Sequence, residues 1–322
     1  MLGRSGLTAT PVGLGLAAAG RPAYITLGRE HDLPERRDQE TLRSRSHQLL
    51  DAAYRMGVRY FDVARSYGLA EQFLSSWLRT REPLPEPVTC GSKWGYEYVG
   101  EWRMDAAVHE VKDHSLAALR RQLPQSLELL GEHLQLYQIH SATLESGVLD
   151  DKAVLSELAR LGREGLAIGL SVSGPRQAEV IERALAVRVD GATPFTAVQA
   201  TWNLLEPSAG PALAAAHGEG WAVLVKEALA NGRLVAGPRD QLGPLVASAG
   251  THGVGLDALA IAAALAQPWA DVVLSGAVTV AQLESNLMGV EVQLEGGELE
   301  GLLGLAEPSQ SYWSERKALP WS

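Results

Sequence analysis

The chain has 322 residues, 46% of them hydrophobic and 20% charged, and a formal net charge of −10. That length holds one large core or two ordinary domains, and the acidic balance argues against a nucleic-acid partner, whose phosphates demand basic patches. The single cysteine, Cys90, excludes an intrachain disulfide and a cysteine zinc cluster, and it predicts a reducing compartment, the cytoplasm.

The opening "MLGRSGLTATPVGLGL" is not read as a signal peptide, because its apolar run follows a polar stretch and is rich in glycine. "GLGL" (13–16) is the first candidate strand. "RPAYITLGREHDLPERRDQET" (21–41) is long and polar, a lid or a loose loop. A helix follows at 43–57, with apolar spacing near 3.6 and a closing glycine, then the strand "VRYFD" (58–62). "VTCGS" (88–92) is the next strand, and the loop after it stacks Trp94, Tyr96, Tyr98 and Trp102. A helical pattern at 115–131 contains Pro124, which predicts a kink or a second helix start. "LQLYQIH" (134–140), "AIGLSV" (167–172), "FTAVQATW" (195–202), "WAVLVKE" (221–227) and "DVVLSGA" (271–277) complete the strands. Helical patterns at 151–165, 175–187, 256–266 and 279–289 separate or follow them. No uninterrupted apolar run of about 18 residues predicts a membrane span.

About eight strand–helix units follow one another without a linker, so one domain spans 1–322, with a lid at 21–41 and a tail at 305–322. Alternation and near-continuous apolar strands predict a parallel sheet buried on both faces. The size favours a (β/α)₈ TIM barrel, eight parallel strands with outer helices. The competing doubly wound sheet carries a Gly-x-Gly-x-x-Gly turn after an early strand, and "GLGLAAAG" has the wrong spacing.

In a barrel the site lies at the C-terminal strand ends. There stand Asp62, Lys93 after "VTCGS", His140, Ser171, Gln199 with Asn203, and Lys226 with Glu227, while Tyr67 follows Asp62 on its loop. Taken singly, each is a turn residue, a solvated cation or a satisfied core group. Taken together they form an acid–base set. A cation beside a phenol lowers its pKa from about 10 and an aspartate fixes the lysine, so Tyr67 can give a proton to a carbonyl that the histidine orients. No hydride source is among these residues, which implies a nicotinamide cofactor.

These segments resemble the aldo-keto reductase family. "GVRYFDVARSYG" (57–68) resembles its signature, with Val63 for the usual threonine. "GSKWG" (91–95) resembles its strand-end lysine segment, and "RRQLPQSLELLGEHLQLYQIHS" (120–141) its helix leading to a strand-end histidine, with Gln135 in the region of a usual aspartate. The resemblance implies the same barrel, with Tyr67 as general acid/base, Lys93 and Asp62 tuning it, and His140 orienting the carbonyl. It implies NAD(H) or NADP(H) extended across the barrel mouth. Ser171 and Gln199 would hold the carboxamide, with Val172 replacing an asparagine and Ser173 near enough to compensate. Lys226 would lie by the nicotinamide. Ala228, Leu229, Asn231, Gly232 and Arg233 would follow the pyrophosphate, and Gly276, Gln282 and Asn286 the adenosine.

No Lys or Arg occurs from Gln241 through Glu315, and Gln282 stands where the family often has an arginine for the 2′-phosphate. The cofactor reading therefore leans to NAD(H), with Arg233 or Arg239 as candidate rescuers of NADP(H). Trp94, Tyr96, Trp102 and Trp202 are the candidate substrate walls, fitting a small carbonyl or a sugar. No metal site is expected: His109, His114 and His133 are read as solvent-facing, and Cys90 as a buried strand residue. The function implied is an NAD(P)-dependent reductase of aldehydes, ketones or aldoses, equally able to run as a dehydrogenase. The alternatives are a cofactor-binding regulatory or sensor subunit with little turnover and a Lys93 Schiff-base enzyme. Physiological substrate, direction and oligomeric state are not legible.

Overall fold

The computed structural model describes residues 2–28, 32–237 and 241–321. Its strands are β1 (Val12–Gly15), β2 (Tyr60–Asp62), β3 (Thr89–Trp94), β4 (Tyr96–Tyr98), β5 (Glu110–Lys112), β6 (Leu134–Ala142), β7 (Ala167–Val172), β8 (Ala197–Thr201), β9 (Ala222–Lys226) and β10 (Val272–Ser275). Eight of them close into a parallel barrel in the order β1-β10-β9-β8-β7-β6-β3-β2, so chain order is ring order. Every residue of β7 and β8 is buried, because inward side chains fill the barrel and outward ones meet the helices. The predicted TIM barrel is the observed fold.

The helices are α1 (Gln39–Arg55), α2 (Ala70–Arg81), α3 (Leu116–Leu130), α4 (Lys152–Arg163), α5 (Gln177–Ala186), α6 (Gly210–Gly218), α7 (Arg233–Ala236), α8 (Gly243–His252), α9 (Leu256–Leu265), α10 (Val280–Leu287), α11 (Gly296–Leu303) and α12 (Ser309–Ala318). Starts follow side-chain caps: Asp38, Ser115, Asp151 and Thr279 each accept a first-turn N–H, satisfying donors the helix cannot. α4 shows how such a helix is held. Val154, Leu155, Leu158 and Leu161 form one buried stripe, each worth about 1.5–3 kcal/mol of apolar burial.

α3 runs unbroken through Pro124, against the kink expected from sequence. Pro124 lies on the exposed face, and so does Arg120 one turn earlier. The carbonyl left without its usual partner faces water, which removes the reason to bend. The aromatic stretch after Lys93, expected as a loop, instead forms an antiparallel hairpin in which Tyr96 pairs with Lys112 and Tyr98 with Glu110. The bottom of the barrel is filled by Leu2, Tyr60, Leu136, Leu224 and Val272 among others. Gly91 is required there: a Cβ at that position would lie 2.1 Å from the Tyr60 hydroxyl. Among the described residues no single helix is long and apolar enough to cross a membrane.

Candidate active site

β2 ends at Asp62 and β3 carries Lys93 in its last turn of pleat, so parallel pairing sets the two side by side inside the barrel. The Lys93 ammonium makes a short ion pair with Asp62 and donates to the Val63 carbonyl at 3.0 Å. Both side chains are almost wholly buried, at 0% and 3% exposure, so the pair survives only because each charge is answered. The second Asp62 oxygen accepts from Gln199 Nε2 at 2.9 Å and from Tyr60 at 3.4 Å.

The loop after β2 turns back at Gly68 and brings Tyr67 over this pair, with Lys93 Nζ 4.9 Å from the ring centroid. The Tyr67 hydroxyl lies 3.5 Å from His140 Nε2, and Ser66 Oγ lies 3.3 Å from Nδ1 of the same ring. His114, from the turn before α3, reaches the His140 carbonyl with Nε2 at 2.8 Å. A carbonyl only accepts, so that nitrogen carries the proton.

Electrostatics separate these groups. Burial, then the cations Lys93, Arg21 and Lys226, hold His140 well below its ordinary value, so the ring is neutral. Burial and then Asp62 push the Tyr67 phenol well above 10, with Arg21 acting in the opposite direction. The sequence expectation of a lowered phenol is thus corrected, since the net shift is upward. Asp62 answers Lys93 at contact and repels phenolate itself.

A cavity of about 590 Å³ opens onto Tyr67 and His140. Of the residues expected at the cofactor, Ser171, Gln199, Lys226, Ala228, Leu229, Asn231, Gly232, Gly276, Gln282 and Asn286 line it. Ser171 accepts from the Ser141 N–H. Lys226 donates to Thr201 Oγ1 at 2.6 Å, and burial lowers it to about 8. Gln282 donates to Asp32 at 2.7 Å, and Asn286 donates to Asp257 at 2.7 Å. Asn231, in left-handed backbone, donates to the Ile25 carbonyl and accepts through its own carbonyl from Leu27 N–H, and its Oδ1 is buried without a partner. Arg233 lies outside the lining, held by Glu307 and Glu315. Arg239 lies outside the described residues.

Tyr96 lines the cavity, its ring 5.0 Å from His140. The other three expected substrate residues stand elsewhere. Trp94 follows inward Lys93 on its strand and so points outward into the core. Trp102 donates to the Arg37 carbonyl and packs on Phe73, and Trp202 packs edge-on against Trp269 in the outer layer. His109 is buried and stacked on Trp321, while His114 and His133 are half-buried, so none faces solvent freely. Burial lowers His114 to about 4. Cys90 is buried.

Sequence reading did not single out Arg21, Tyr24, Asp32, Glu110, Asp257 and Arg316, which also line the cavity. Arg21, Tyr24 and Asp32 fall in the segment read as a lid and Arg316 in the tail, while Glu110 and Asp257 carry no local pattern and reach the cavity through long-range packing.

The barrel thus carries a buried Lys–Asp pair beneath a tyrosine and a histidine at its mouth. The sequence profile of the aldo/keto reductase family matches residues 25–302, and the chain belongs to that family. Its members are generally NAD(P)-dependent oxidoreductases, mostly using NADPH, that act on small carbonyl compounds. No curated protein sequence matches the chain. Among solved structures it is similar to the aldo-keto reductase AKR11C1 from Bacillus halodurans in its holo form, with a TM-score of 0.71, 21% identity and 96% of each chain covered. It is also similar to PA4992 of Pseudomonas aeruginosa, assigned to the aldo-keto reductases, with a TM-score of 0.64, 24% identity, and 94% of this chain and 95% of that one covered. At these identities the two structures speak for the fold.

Proposed function

We propose that the protein transfers hydride between a nicotinamide cofactor and a carbonyl or alcohol, an aldehyde, ketone or aldose, with Tyr67 as general acid/base. The observation that carries this is the convergence of the Tyr67 hydroxyl and His140 Nε2, 3.5 Å apart, on the wall of the cavity above Lys93 and Asp62. Two nearby donors aimed at one point suit one carbonyl oxygen. Neutral His140 donates through Nε2 when Ser66 donates to Nδ1, and Tyr67, protonated at neutral pH, gives its proton to the same oxygen. Lys93 then faces the phenolate that remains, and Asp62 keeps Lys93 in place.

Cavity size and donor set fit a dinucleotide. Gln199 and Ser171 lie on its wall, the backbone of 228–232 follows it, and the orphaned Asn231 Oδ1 offers an acceptor. When bound, the nicotinamide supplies the hydride. We infer NAD(H) over NADP(H). Among the described residues the cations lining the cavity are Arg21, Lys226 and Arg316, and these stand by Tyr67 or Glu227, while Gln282 is turned to a carboxylate. A 2′-phosphate wants a guanidinium or ammonium instead. The chain is read as one domain, 21–41 acting as lid and 305–322 as tail wall. Tyr96, Tyr24 and Trp321 give the substrate end aromatic faces suited to a sugar or flat ring.

The test is Tyr67→Phe, assayed with a panel of aldehydes, ketones and aldoses alongside cofactor titration by fluorescence. Turnover should fall by about 10²–10⁴ with cofactor binding kept. Undiminished reduction by Tyr67→Phe overturns the mechanism, and a large preference of kcat/KM for NADPH overturns the cofactor choice.

A further inference from the structure

Tyr67 has a second cation. Residues 17–21, after β1, pack so closely on the loop 66–70 that a Cβ on Gly20 would lie 2.6 Å from the Tyr67 carbonyl, and one on Gly68 2.5 Å from the Gly20 carbonyl. Leu69 N–H donates to the Gly20 carbonyl at 2.8 Å. This contact sets the next residue, Arg21, beside Tyr67 with its guanidinium carbon 5.1 Å from the ring centroid. The arginine side chain is 3% exposed. It is fixed by donation from Nε to the Ala17 carbonyl at 2.9 Å, from Nη1 to the Ser66 carbonyl at 3.4 Å, and by an ion pair of Nη1 with Glu110 at 2.8 Å. Glu110 comes from β5, on the hairpin.

We propose that Arg21, held by Glu110, is a positioning residue for the general acid, placing a guanidinium on the Tyr67 ring as a second charge pair beside Lys93 and Asp62. The inference rests on Tyr67 being the proton donor. Charges reach the phenol from Asp62 at the end of β2, Lys93 of β3, Arg21 of the loop after β1, Glu110 of β5 and Glu227 at the end of β9, with neutral His140 on β6. Lys93 is answered at contact by Asp62, which itself stands near the ring. Arg21 is paired with Glu110, which also reaches the phenol, but the guanidinium lies on the ring and acts on it more strongly, in the direction of phenolate. As the proton leaves Tyr67 for the carbonyl oxygen, negative charge grows on the phenol, and the guanidinium is already in place to meet it.

The two members of the pair should therefore act with opposite sign, which a structural role alone does not produce. Wild type, Arg21→Gln, Arg21→Lys and Glu110→Gln are assayed for reduction of 4-nitrobenzaldehyde from about pH 6 to as alkaline a pH as the fold withstands, and each cofactor Kd is measured by fluorescence. Arg21→Gln should lower kcat about tenfold, the equivalent of one pKa unit, with KM and cofactor Kd little changed, and Arg21→Lys should recover part of it. Glu110→Gln should bring the alkaline fall in kcat to lower pH. Unchanged kcat in Arg21→Gln, or shifts of the same sign in Arg21→Gln and Glu110→Gln, overturn the proposal. A wild type that reduces no carbonyl would instead sink the assigned function. The proposal is then read from the ¹³Cζ titration of Tyr67, its resonance identified with Tyr67→Phe. Onset of titration at lower pH in Glu110→Gln, and at no lower pH in Arg21→Gln, supports it, and identical curves overturn it.

Discussion

Glu227 and Arg316 form a half-buried ion pair that ties the end of β9 to the last helix, α12. Both carboxylate oxygens accept from Arg316 Nε, at 3.0 and 2.9 Å, and Thr201 Oγ1 donates to one of them at 3.0 Å. Glu227 adopts a left-handed φ of 57°, which turns its side chain across the barrel mouth. Burial alone would raise this carboxyl, but Arg316 and Lys226 outweigh it and hold it at about 2.

Arg316→Met should therefore leave the carboxylate to Thr201 and Lys226 alone and destabilise the fold by about 1–3 kcal/mol, read by urea denaturation at neutral pH. The folded carboxyl sits below its ordinary 4.5, so its contribution is whole above 4.5 and is lost as pH falls towards 2. The acid limb of stability in that window should be shallower in Glu227→Gln than in wild type.

His140 is neutral through the physiological range, being held well below 6.5. A plot of log kcat against pH should show no break near 6.5 from this ring. His140→Ala should cost about 10² in kcat, as loss of one donor to a developing oxyanion does. A clear acid limb near 6.5 that vanishes in His140→Ala would contradict the neutral ring.

Gly68 has a φ of 60° and a Cβ there would lie 2.5 Å from a backbone oxygen. Gly68→Ala should lower stability by more than about 1 kcal/mol, measured by thermal unfolding. It should also lower kcat, because the loop that yields carries Tyr67.

Gln282→Arg should favour NADPH. The substitution removes the amide bonded to Asp32 and supplies a guanidinium, and a gain of about 1.4 kcal/mol corresponds to tenfold tighter NADPH binding. Fluorescence titrations with both reduced cofactors provide the measurement. An unchanged ratio would place the 2′-position elsewhere.

The barrel was legible because its information is local and repeated: apolar strands at regular intervals, each followed by a 3.6-residue pattern. Asp62, Lys93 and His140 were legible because strand ends share one face in such a fold, whatever the loops do. Arg21 and Glu110 were not, being 89 residues apart in sequence and joined only by tertiary packing. Trp94 and Trp202 misled because a wide aromatic near a strand end looks like a pocket wall, whereas the pleat sends alternate residues outward. The alternating "YEY" and "EVK" of the hairpin were too short to stand out from a loop.

The two hydrogen bonds joining Asn231 to Ile25 and Leu27 link the loops that follow β9 and β1, across the position of β10. Both loops line the same cleft, so the link turns two separate flaps into a closed hoop of backbone. On the proposed function, a dinucleotide held along the cleft would lie against this hoop, whereas a compact carbonyl compound reaching Tyr67 would not need to cross it. Exchange of the two ligands would then be unequal in kind, the short one moving by diffusion and the long one needing these two hydrogen bonds to open. On that reading the hoop would favour a fixed sequence, with the dinucleotide first in and last out.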